Sequence, residues 1–160
     1  MISPLKRINN VPEDMLDTRV SYESKVPREG TCGPTIVAYL TGKTVKETIE
    51  NWIIPYRGYC SLRELERVLN KEGLETKIIK RVEKRQFILP DGISRAIARI
   101  QWGKKYSNWT IPEKNTHFVL LDQNSNSFQL FDNEAGLFEI NSNRSRRYME
   151  EGKITHFLIV

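Results

Sequence analysis

The sequence predicts an α+β domain, with helices in the N-terminal part and an antiparallel sheet in the C-terminal part. Two observations carry this. Between Gly33 and Gly73 apolar residues recur at helical spacing behind capping residues, whereas beyond Gly73 they gather in short β-rich runs separated by Asn, Asp, Ser and Gly. That order, helices first and strands after, is the α+β pattern rather than alternating βαβ units.

The helices follow from local signals. Pro34 suits the opening of a helix, Ile36, Val37 and Leu40 fall on one face, and Gly42 marks its stop. Cys32 therefore stands at the very start of this helix. Thr44-Val45-Lys46-Glu47 is a capping box, followed by Val45, Ile49, Trp52 and Ile53 at helical spacing, with Pro55 ending the segment. Ser61-Leu62-Arg63-Glu64 repeats the box ahead of Leu65, Val68 and Leu69, and Gly73 closes it.

The strand signals begin with Thr76 to Val82. Arg95 to Trp102 fits both periods, since Ile93, Ile97 and Ile100 suit a helix while the run 97–102 suits a strand; a strand is the expectation. Thr116 to Asp122 is an apolar strand, Asn124 to Ser127 a turn, and Phe128 to Phe131 its return. A second turn, Asn133-Glu134-Ala135-Gly136, leads to Leu137–Ile140. A short polar helix over 143–150 and a last strand, Ile154 to Val160, complete the expected meander. Residues 1–24, polar and holding Pro4 and Pro12, are expected to be an N-terminal arm, and residues 25–160 a single domain.

Composition bounds the function classes. The 160 residues are 39% apolar and 28% charged, with a net charge of +5, which is an ordinary globular balance. No run approaches the roughly 18 apolar residues of a membrane span, and Met1-Ile2-Ser3-Pro4-Leu5-Lys6-Arg7 lacks the apolar stretch of a secretory signal. The expected location is the cytoplasm, with reduced thiols; delivery as an effector is compatible with the same features. Two cysteines and two histidines without short paired spacing do not suggest a metal, and no cofactor is expected. Basic clusters at Lys77–Arg85 and Arg144–Arg147 are interleaved with acids and carry no nucleic-acid motif, so they read as solvated faces.

One constellation carries chemistry. A thiol at a helix N-terminus faces unpaired backbone N–H groups and the positive end of the helix dipole, which favour thiolate and could hold an oxyanion. Gly33 beside Cys32 removes side-chain bulk there. The bland alternative is a small buried cysteine. His117 opens an apolar strand and is the candidate base. Asp132 ends the returning strand, where a hairpin turning at 124–127 brings it near residue 118, so it could orient the imidazole; Asn133 could do so as a neutral acceptor. His156, with no acid after it, is read as structural and is the second candidate base. Cys60, in a loop before Ser61, is read as structural.

These motifs resemble the papain-like cysteine peptidases, closest to the bacteriocin-leader-processing (double-glycine) peptidases. The resemblance rests on Cys32-Gly33-Pro34-Thr35, on His117-Phe118-Val119-Leu120-Leu121, and on Phe131-Asp132-Asn133-Glu134-Ala135-Gly136, where the family has an Asp-Pro-Ala-Gly-like turn. It implies a helical lobe packed on an antiparallel sheet, with Cys32 as nucleophile, His117 as base and Asp132 as orienter. The family usually carries Gln about six residues before the cysteine as an oxyanion donor, and this chain has Val26. Backbone N–H groups, Gln101 or Asn133 would then have to support the oxyanion. The implied activity is thiol-dependent hydrolysis of a peptide or other amide bond through an acyl-enzyme, with a peptide or protein as substrate. The alternative is a catalytically altered or inactive fold acting as a binding, effector or inhibitor protein, deamidase and transpeptidase activities included.

Overall fold

A computed structural model describes residues 32–84, 88–102, 116–124, 127–132, 136–139 and 152–160. The expected arm, the 143–150 helix and Asn133 lie outside the described residues.

The helices are α1 (Cys32–Thr41), α2 (Val45–Glu50) and α3 (Leu62–Lys71). Helix α1 carries no charge and buries Gly33 through Ala38, so it is embedded rather than amphipathic. Pro34 falls in its first turn, where the missing N–H would have had no intrahelical partner. Both capping residues act as the sequence predicts, Thr44 Oγ1 accepting from the Glu47 N–H at 3.0 Å and Ser61 Oγ from the Glu64 N–H at 3.1 Å. Helix α2 stops at Glu50, earlier than the spacing of Trp52 and Ile53 predicts, because Asn51 leaves helical geometry and Trp52 folds back onto the Ile49 carbonyl. Gly42 and Gly73 sit just past α1 and α3 with φ of 73° and 88°, a left-handed turn that other residues resist.

The strands are β1 (Lys77–Lys84), β2 (Arg95–Trp102), β3 (Thr116–Asn124), β4 (Ser127–Asp132), β5 (Gly136–Glu139) and β6 (Gly152–Ile159). They form one six-stranded sheet in the order β1-β6-β2-β3-β4-β5, with every pairing antiparallel. The expected meander holds from β2 to β5 only, since the last strand of the chain inserts between β1 and β2. The physical reason is its burial: Ile154, Phe157 and Leu158 are buried and serve both faces of the sheet, as a central strand must. A bulge at Thr155, which has no rung while Arg99 pairs with His156 and Ile100 with Ile154, shifts the alternation so that Ile154 and Phe157 share a face.

The helices cover one face of the sheet. There Ile36, Val37, Leu65, Val68 and Leu69 pack against Ile97, Phe118, Leu120, Phe131 and Leu158. The opposite face gathers Ala96, Ala98, Ile100, Val119, Leu121, Leu130, Ile154 and Phe157 into a second cluster, with Leu89 against it. Strand β2 feeds both clusters, which is why its sequence fits two periods at once. Arg95–Trp102 is a strand, as expected. The architecture is α+β, a helical layer packed on an antiparallel sheet, and no helix among the described residues is long and apolar enough to cross a membrane.

Candidate active site

The two cysteines, both free, occupy opposite environments. Cys32 is the first residue of α1 and is half-buried, whereas Cys60, in the loop before α3, is buried. Burial pushes the Cys60 thiol well above its usual range, the neighbouring Cys32 and Glu64 raise it further, and Arg57 pulls the other way. A thiol held protonated this way is a poor nucleophile at neutral pH.

Gly33 has a packing role besides the one its sequence neighbourhood suggests. A Cβ added at Gly33 would meet Cys60 Sγ at 2.6 Å, with Leu65 next at 3.9 Å. The absent side chain is what lets the Cys60 sulfur press against the first turn of α1. The space belongs to the buried thiol behind Cys32.

A polar network that sequence reasoning missed stands beside these sulfurs. Glu64 is buried, and its carboxylate accepts from Trp52 Nε1 at 2.6 Å and from the Arg57 guanidinium at 2.8 Å. Arg57 also lies over the Tyr59 ring, 4.6 Å from its centroid. Trp52 in turn meets Tyr56 edge to face, with centroids 5.3 Å apart. The Tyr56 phenol is raised well above its ordinary value by burial, and then by the neighbouring Cys60, Cys32 and Glu64, against Arg57. Tyr56 and Cys32 both pack on the apolar cluster beneath the helices. The sequence signal is partial: Glu64 is legible as the third residue of a capping box, but its carboxylate turns inward instead of back to the cap.

On the sheet, His117 is the second residue of β3, half-buried and paired with Ile100. Its ring stacks on Trp102, with centroids 6.0 Å apart and planes at 26°. The alternation along β3 sets Phe118 and Leu120 toward the helices and His117, with Val119 and Leu121, on the other face. Asp132 ends β4. Because Phe131 pairs with Leu120, the register carries position 132 alongside Val119, diagonal to His117. Gln101 lies in β2 opposite Thr116 and Lys153, and its Oε1 accepts from Arg99 at 3.2 Å. It shares the face of Ile97, the helix-covered one, so Gln101 and His117 stand on opposite faces.

His156 sits in β6 with its Nδ1 2.9 Å from Thr155 Oγ1, the hydroxyl that also accepts from Arg99 at 2.7 Å. Burial lowers its pKa, and the nearby charges of Arg99 and Lys80 lower it further. Among the described residues, the charges bearing on this ring are cationic, so nothing there favours an imidazolium. At its far end α1 is anchored by Tyr39, whose ring stacks on Phe131 at 4.3 Å and whose phenol is raised by burial and by Asp122, with Arg95 opposing.

No family model and no curated protein matches the chain. Among solved structures, the chain is similar to a double-glycine-motif protease from an AMS/PCAT transporter, solved in complex with its leader peptide. The likeness is at 17% identity over 80% of this chain and 81% of that one, with a TM-score of 0.49.

Proposed function

We propose that the protein is a papain-like thiol hydrolase that cleaves a peptide or other amide bond, with Cys32 as nucleophile, His117 as base and Asp132 as orienter. The observation that carries this reading is the contrast between the thiols: a half-buried cysteine as the first residue of an embedded ten-residue helix, and a fully buried one behind it. The helix supplies backbone N–H groups without intrahelical partners and the positive end of its dipole beside the Cys32 sulfur. Its rise of about 1.5 Å per residue sets Cys32 roughly 10 Å from Tyr39. Tyr39 feels the Arg95–Asp122 rung. Helix α1 packs against β3, the strand that carries His117.

In the proposed reaction His117 takes the Cys32 proton, and the thiolate adds to the substrate carbonyl. Backbone N–H groups at the head of α1, Gly33 included, hold the oxyanion. His117 then returns the proton to the leaving amine, and water, activated by the same imidazole, hydrolyses the thioester. Asp132, diagonal to His117, holds the tautomer. Peptide, isopeptide and side-chain amide substrates share this route. Because His117 lies on the sheet face away from the helices, its imidazole has to reach past the tip of β3 to meet the sulfur.

Alkylation by iodoacetamide, mapped by peptide mass, tests the reading. Rapid modification of Cys32 at neutral pH, with Cys60 untouched and the rate much reduced by His117→Ala, is the expected result. Equal reaction at both thiols, or a rate indifferent to His117, would overturn it. A second reading, a binding or effector protein on the same scaffold, is favoured by the position of His117 on the sheet face away from the helices. It predicts that Cys32→Ala preserves biological activity.

A further inference from the structure

We propose that Cys32 and Cys60 form a reversible redox modification site, in which a peroxide oxidises Cys32 and Cys60 resolves it to an intramolecular disulfide. The direction of the chemistry rests on the thiol-hydrolase reading, through the reactivity of Cys32, but the bridge itself rests on geometry. The space an added Cβ at Gly33 would fill is taken by Cys60 Sγ, 2.6 Å away. That sulfur therefore lies against the backbone one residue from Cys32, whose Cα is about 3.8 Å from that of Gly33. Disulfides join residues with Cα atoms roughly 4.4–6.8 Å apart, so closing the bridge requires the opening turn of α1 to bring the Cys32 sulfur round to the side on which Cys60 lies. Both cysteines pack in the same apolar cluster, and the Tyr56 phenol lies within electrostatic reach of both sulfurs. Cys32 belongs to the opening turn of α1, whose first N–H groups have no intrahelical bonds to break when it adjusts.

The two thiols differ in access. Cys32 is half-buried and can meet a soluble oxidant, whereas Cys60 is buried and meets only what lies against it, so its sulfur acts after Cys32 has been oxidised and gives up its proton as it attacks. In the first step the Cys32 thiolate attacks a peroxide oxygen. The S–O bond forms, the O–O bond breaks, and the departing hydroxide takes up a proton as water; Cys32 is oxidised to sulfenic acid and the peroxide is reduced. In the second step the Cys60 sulfur attacks the Cys32 sulfur. The S–S bond forms, the S–O bond breaks, and the leaving hydroxide carries off the Cys60 proton as a second water. A dithiol such as dithiothreitol reverses the bridge by exchange, becoming a disulfide itself. While the bridge is closed the candidate nucleophile is blocked, and it is also shielded from further oxidation to sulfinic acid.

The full chain is treated with stoichiometric hydrogen peroxide, then mapped by peptide mass under non-reducing conditions. The expected result is a Cys32–Cys60 linked peptide, loss of both free thiols, and full return of Cys32 alkylation after dithiothreitol. In Cys60→Ala, Cys32 should still alkylate, but peroxide should carry it to sulfinic acid and dithiothreitol should no longer restore it. Sulfinic acid at Cys32 beside a free Cys60 in the unsubstituted protein would overturn the proposal, and that measurement needs no variant to fold. If the bridge forms but Cys32→Ala leaves amide hydrolysis unchanged, the hydrolase reading fails and the redox site stands. If Cys32 alkylates selectively but no bridge forms, the redox site fails and the hydrolase reading stands.

Discussion

In the helical layer polar groups are buried and paired, whereas the buried side chains of the sheet are apolar. Among the described residues the buried polar side chains are Thr35, Thr48 and Glu64, all on helices. Thr48 Oγ1 donates to the Thr44 carbonyl at 2.8 Å, and Glu64 ties Trp52 to Arg57. The strands instead stack Ile97, Phe118, Leu120, Phe131 and Leu158 on one face and a separate apolar set on the other. A hydrogen-bonded network fixes orientation residue by residue, while apolar stacking fixes register and tolerates exchange of similar shapes. The candidate nucleophile belongs to the first kind of region and the candidate base to the second.

The largest expected effect separates chemistry from scaffold. Cys32→Ala should abolish amide hydrolysis and His117→Ala should lower it by about 10²–10⁴-fold, with the urea midpoint moved little by either. A large stability loss at Cys32 would mean that the half-buried cysteine is a packing residue after all.

Within the scaffold, two glycines sharpen the contrast. A Cβ at Gly152 would meet the Gln101 carbonyl at 2.9 Å and Ile100 at 2.7 Å. Backbone in a paired strand cannot retreat, so Gly152→Ala should cost about 3 kcal/mol or more in urea denaturation. At Gly33 the obstacle is a thiol. Gly33→Ala should cost only about 1–2 kcal/mol, and combining it with Cys60→Ala should cost less than the sum of the two single changes. Strict additivity would show that the sulfur does not fill the glycine's space.

Glu64→Ala tests the polar region directly. It leaves the Trp52 indole N–H without its acceptor in a buried setting and should destabilise by about 1–3 kcal/mol. Glu64→Gln should recover part of that through its carbonyl oxygen.

The smallest effect concerns His156. Its folded-state pKa lies below the ordinary histidine value, so the unfolded chain binds the proton more readily. Stability from this residue is therefore fully present above the unfolded pKa and is lost as pH falls through the folded one. The urea midpoint should be slightly lower at about pH 5.5 than at about pH 7.5, and His156→Gln should flatten that slope.

Much of the helical layer is legible from sequence because its signals are local. Thr44, Ser61, Gly42 and Gly73 each act on groups a few residues away, and each does what its position predicts. The β3–β4 pairing is legible for the same reason, Asn124 pairing with Ser127, three positions on in the chain. The end of α2 is not, since Trp52 leaves the helical spacing to reach Glu64, a partner in another helix. The candidate site divides in the same way: Cys32 at a helix start and His117 near a strand start follow from pattern, whereas the face that His117 takes depends on which side of β3 the helices cover.

By itself, then, the sequence determined the α+β class, the helix limits set by capping residues and glycines, and the strands. These depend on neighbours within a few residues, whose chemistry is written side by side. Tertiary structure alone decided that the last strand lies inside the sheet, that Glu64 turns inward to Trp52 and Arg57, and that Gly33 makes room for Cys60. Each of those depends on burial shared between segments distant in the chain, where the free energy comes from excluding water between surfaces that no local pattern pairs.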